Sequence, residues 1–158
     1  MVAAPGAVPA VESGQPGYRQ LKVATVQGGS ETNPLWMSNV SNNDLRSALE
    51  ASLKAFGYLS DDPDKAHLNV SASMVDLQRP LAGLDMTVTS KIHYTVSPTS
   101  GGAPVYDNMV AASGTAAFSD SLIAVERLRK ANEASIKANI ASFIEQMKTV
   151  LASPKPTS

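Results

Sequence analysis

The sequence predicts an α+β domain in the order β-α-β-β-β-α, with a four-stranded, largely antiparallel sheet carrying two helices on one face. Three observations support this. Period-two alternation runs through three long segments, apolar residues recur at three- and four-residue spacing in two others, and short Gly/Pro connections join the strands.

The first strand is read over Arg19 to Gln27, where Leu21 and Val23 alternate before Val26 breaks phase, and Gly28-Gly29 ends it. After a loop to Val40, Ser41 or Asn42 can cap a helix, and Asp44 suits the positive end of its dipole. Leu45, Ala48, Leu49, Leu53 and Phe56 form its apolar face, and Gly57 stands where a left-handed cap favours glycine. Leu68, Val70, Ala72 and Met74 then alternate with Asn69, Ser71 and Ser73. Met86, Val88, Ile92, Tyr94 and Val96 alternate with Thr87, Thr89, Lys91, His93 and Thr95. A third segment sets Val110, Ala112, Gly114, Ala116 and Phe118 against Ala111, Ser113, Thr115 and Ala117. The closing helix is expected from about Asp120 to Leu151, with Leu122, Val125, Ile136, Ile140, Phe143, Met147 and Leu151 on one stripe. At ~1.5 Å per residue it would be about 45 Å long, matching the strand from 84 to 97.

The 158 residues fit one domain over 18–152, with 1–17 read as a Pro/Gly-rich flexible tether and 153–158 as a disordered tail. A net charge of −1 without a basic block argues against a nucleic-acid partner. The chain has no cysteine, which excludes disulfides, thiolate metal sites and cysteine nucleophiles within it. No apolar run approaches the ~18 residues of a membrane span.

The element order, with Ser52-Leu53-Lys54-Ala55-Phe56-Gly57-Tyr58-Leu59 closing the first helix, resembles small Gram-negative envelope lipoproteins. The stretch from Glu126 to Glu133, followed by Asn139-Ile140 and Phe143, resembles an uncharacterised group among them. The architecture is similar to lipopolysaccharide-assembly and transport-auxiliary lipoproteins. The resemblance implies a periplasmic domain anchored to the outer membrane through a lipid on a cysteine just before the mature chain, whose place Met1 takes here; no cofactor is expected. It further implies an envelope protein or lipid-like ligand as partner, while exposed strand edges or the Ser/Thr sheet face suggest a homo-oligomer as the alternative.

Three groups of residues are candidate sites. Leu35, Trp36 and Met37 place large apolar groups on a loop, where they could dock a partner or fold back over the core. The face bearing Thr87, Thr89, Lys91 and His93 could receive a protein or a second copy, or be simply solvated. Arg129 and Asn132 fall inside the apolar stripe of the last helix and Asn139 at its edge. There they could line a polar cavity, unless the helix bends them to solvent. Asp61-Asp62-Pro63-Asp64 lacks the glycine and glutamate of a calcium loop and reads as a turn. Two histidines without clustered carboxylates make no metal site. No nucleophile elbow, phosphate loop or converging acid, base and nucleophile is present, so a non-catalytic role is expected.

Overall fold

The computed structural model describes residues 1–6, 8–29, 39–80 and 83–153. Its elements are β1 (Leu21–Gln27), α1 (Asn42–Ala55), β2 (Leu68–Gln78), β3 (Met86–Pro98), β4 (Tyr106–Ala116) and α2 (Ala124–Ala152). The strands form one sheet in the order β1-β2-β3-β4, with both helices on one face. Short turns join β2, β3 and β4, which forces antiparallel pairing, whereas the α1 crossover sets β1 parallel to β2.

Local chemistry fixes α1. Ser41 Oγ accepts the Asp44 N–H at 3.1 Å while the Asp44 carboxylate accepts the Ser41 N–H, a reciprocal cap. Gly57, at φ +80°, closes the helix, and a Cβ there would lie 2.6 Å from the Val11 carbonyl oxygen. Two bulges rephase the sheet. The register shift between Val23 and Thr25 turns Val26 inward opposite Ala72, which accounts for its broken alternation. The shift between Met74 and Asp76 sends Asp76 outward opposite Lys91 and brings Leu77 to the core side.

The free edge of β1 is occupied. Leu21 bridges to Leu59, and the Arg46 guanidinium donates to the carbonyls of Val23 and Ala24 at 3.1 and 2.9 Å. By contrast, β4 pairs with β3 through an unshifted register and, among the described residues, has no strand on its other side.

α2 presses closely on β4. A Cβ at Gly114 would stand 2.2 Å from the Ser135 nitrogen, so only glycine lets the helix backbone come this near. The Tyr94 and Phe143 rings stack with centroids 4.1 Å apart, and Tyr106 meets Phe143 edge-on.

Three expectations need correction. The closing helix begins at Ala124 rather than near Asp120. The Asp120 carboxylate accepts the Ala117 N–H and Ser121 Oγ accepts the Ile123 N–H, and these bonds hold the preceding residues in turns. Leu122 therefore lies ahead of the helix at 80% exposure, and Val125 is exposed in its first turn. Phe118 falls in a single 3₁₀ turn, exposed, with the Arg127 guanidinium 5.0 Å above its ring. The segment 1–17, read as a tether, packs on the domain over its described residues. Ala3 and Val11 are buried, the Ala3 N–H donates to Ser52 Oγ, and the Val11 N–H donates to the Phe56 carbonyl. Its apolar alanines and valines find the seam beside α1, and that burial outweighs the prolines.

Gly114→Ala is expected to destabilise the domain by about 3 kcal/mol, because the strand and helix must separate to admit the methyl group. Urea unfolding measures it. Burial pushes the Tyr58 hydroxyl up to about 12 and the Tyr94 hydroxyl higher still. Below pH 10 both states keep these protons. Above it the unfolded chain releases them while the fold retains them, so stability should fall by about 1.4 kcal/mol per pH unit for each tyrosine. Neither hydroxyl has a hydrogen-bond partner among the described residues. Tyr58→Phe should therefore leave stability at pH 7 unchanged or higher and lessen the alkaline loss, as melting from pH 7 to 11 would show.

Candidate functional site

The helices cover one face of the sheet and leave the other open. On that outer face β3 presents Thr87, Thr89, Lys91 and His93 in a row, as the period-two pattern requires. Each is matched from a neighbouring strand. Thr87 and Thr115 share a hydrogen bond at 2.8 Å, and Thr89 and Ser113 share one at 2.7 Å. Lys91 Nζ lies 3.9 Å from the Asp76 carboxylate, and His93 Nε2 is hydrogen-bonded to Asp107 Oδ1. The result is a flat surface of mostly short polar groups bonded across the strands. Val75, pushed out by the β2 bulge, and Met109, opposite His93, add exposed apolar area at 58% and 45%.

Sequence reasoning found the β3 row and missed Val75, Asp76, Asp107 and Met109. The position of Val75 and the outward turn of Asp76 depend on a bulge that no local pattern announces. Asp107 and Met109 lie in register with the β3 row, and continuing the alternation of β4 back to Tyr106 would have placed them.

The three candidates on α2 separate. Arg129 is on the solvent side, paired with Glu126 and Glu133 at 2.9 and 2.8 Å, and these carboxylates hold its guanidinium above its ordinary pKa. Asn132 and Asn139 are buried. The Asn139 amide donates to the carbonyls of Ser90 and Val110 at 3.1 and 2.9 Å and to Ser90 Oγ at 3.2 Å. Ser135 Oγ accepts the Ser90 N–H and reaches the Ala112 carbonyl. Asn139 is thus a structural fastening between α2 and the sheet.

Leu35, Trp36 and Met37 lie outside the described residues. Two cavities lie beside the residues that follow that loop. One, of about 210 Å³, is walled by Gly28, Val40, Met74, Asp76 and Arg79. The other, of about 230 Å³, is walled by Met1, Val40, Asp44, Arg129, Asn132 and Glu133. Among the described residues no three metal-ligating side chains cluster, and no helix is long and apolar enough to cross a membrane.

No family model and no curated protein matches the chain. Solved structures do. A Caulobacter crescentus protein assigned as a lipoprotein superposes with a TM-score of 0.62 at 14% identity, over 87% of this chain and 95% of its own. A Xanthomonas campestris protein of the DUF330 family gives 0.62 at 10% identity, over 95% and 96%. PelC from Paraburkholderia phytofirmans, solved as a dodecamer, gives 0.56 at 14% identity, over 92% and 94%. The fold is therefore that of small lipoproteins, as the resemblance implied.

Asn139→Ala should cost about 3 kcal/mol, since it strands buried acceptors on β3 and β4. Arg129→Ala should leave the unfolding midpoint unchanged, because Arg129 and both its partners are solvated. Equal losses in the two variants would overturn this division of roles.

Proposed function

We propose that this chain is the periplasm-facing domain of an envelope lipoprotein, non-catalytic, that docks a protein partner on the outer face of its sheet. The reading rests on one observation. The space between helices and sheet is filled by Tyr94, Phe143, Ile92, Ile136 and Ile140, all fully buried. A lipid-like ligand would have to displace this core. Docking on the open face displaces nothing, and its short, mutually hydrogen-bonded Ser/Thr side chains suit a flat protein surface. Met109 and Val75 supply the apolar contact area such a surface needs.

A second reading, self-assembly, is favoured by the unoccupied edge of β4. PelC shows that a protein of this fold can be a dodecamer.

Photo-crosslinking in intact cells separates the possibilities. A photoreactive side chain at Met109 or Lys91 should capture one recurrent envelope protein, whereas the same group at Lys137, on the solvent side of α2, should not. Capture from all three positions alike would refute the docking face. Recovery of lipid alone at Met109 would favour the lipid-like ligand.

A further inference from the structure

The two edges of the sheet differ. β1 is interrupted by a bulge, bridged by Leu59 and capped by Arg46. β4 is 11 residues long and regular, and it contains no proline, lysine or arginine, the residues that usually guard an exposed edge. Its backbone shows which groups face outward. The Met109 N–H is bonded to the Asn108 side chain at 2.9 Å rather than to β3. Alternation then directs the amides of Asp107, Ala111, Ser113 and Thr115 to the free edge as well.

We propose that β4 is a dimerisation edge. A second copy of this chain adds its own β4 antiparallel, about a two-fold axis through Ala111, to make one continuous sheet of four strands from each copy. The sequence of β4 is self-complementary in exactly the sense such an axis demands: large residues fill its first half and small ones its second. Tyr106 meets Ala116 of the other copy, Asp107 meets Thr115, Asn108 meets Gly114, Met109 meets Ser113 and Val110 meets Ala112. No bulky pair collides and no like charges oppose. Ala111 sits at the axis, and its outward-facing amide makes it a hydrogen-bonded pair with its own copy.

The helix beneath permits the approach. Ala134 touches the Gly114 position and Gln146 reaches Tyr106, so the i, i+4 row between them, Ala138 and Ser142, also borders β4. Small side chains there leave room for the second α2. One local bond must be exchanged, because the Asn108 side chain has to release the Met109 N–H to the incoming strand. A backbone carbonyl replaces it, so the net change is small.

This inference rests on the self-assembly reading and is independent of docking on the outer face. Light scattering across concentration tests association itself, and two single-site variants test the edge. In an antiparallel hydrogen-bonded pair the Cα atoms stand ~5.5 Å apart, within disulfide reach. The native chain has no cysteine, so Ala111→Cys reports without background. It should oxidise to a linked dimer, whereas Lys137→Cys should form no covalent link. Ala111→Lys brings two ammonium groups together at the axis and should weaken association by about tenfold or more, with its melting curve confirming the fold. A wild-type chain that is monomeric at every concentration would overturn the dimer and the self-assembly reading together. Oligomers that persist in Ala111→Lys, with no crosslink from Ala111→Cys, would overturn the β4 edge and leave self-assembly standing.

Discussion

The fold depends on the contact between α2 and β4, where a glycine and a small polar cluster replace the usual apolar layer. Gly114 admits the backbone of Ser135, and at that separation only short groups fit between helix and sheet. Ser90, Ser135 and Asn139 fill the gap and bond one another and the strand carbonyls, while Asn139 Oδ1 has no partner among the described residues. A helix of 29 residues held by apolar contacts alone could slide along the sheet at little cost. A shift of one turn, ~5.4 Å, would carry Asn139 away from all its acceptors. The cluster lies near the middle of α2, so it fixes the register of both halves. The Tyr94–Phe143 stack and the Tyr106–Gln146 bond follow from that register.

With both helices committed to one side, the other side of the sheet is left to solvent and partners. Its ion pairs are half-exposed and contribute little to stability. Their effect is on the surface itself. Lys91 lies beside Asp76 and His93 is hydrogen-bonded to Asp107, so a partner there would be selected by shape and hydrogen bonding more than by long-range steering.

Much of this was legible in the sequence, and the limits have physical causes. Alternation over β2, β3 and β4 set the inward and outward residues, and Ser41, Asp44 and Gly57 marked the ends of α1. Val26 announced a fault in β1 without revealing that a bulge resolves it. The start of α2 was placed too early because Leu122 and Val125 fit the apolar period. Periodicity cannot register the turn bonds at Asp120 and Ser121. Arg129, Asn132 and Asn139 looked alike on a helical wheel, yet one is solvated and two are buried. Asn139 is buried against Ser90 and Val110, which only the paired strands bring there, and Asn132 lies by Val40 and Asp44 at the start of α1. The Pro/Gly composition of residues 1–17 suggested a tether, but composition does not show that Ser52 and Phe56 offer bonding partners to Ala3 and Val11.

The closed edge of β1 also limits growth. A sheet with two open edges can extend without end, each added copy exposing the same template, and such stacking leads to fibres. Here the Leu59 bridge and the Arg46 guanidinium occupy backbone groups of Leu21, Val23 and Ala24 that a third chain would need. Any assembly built by strand pairing at β4 therefore stops once two edges have met. Arg46, on the edge opposite β4, would act as a terminator that keeps the species finite.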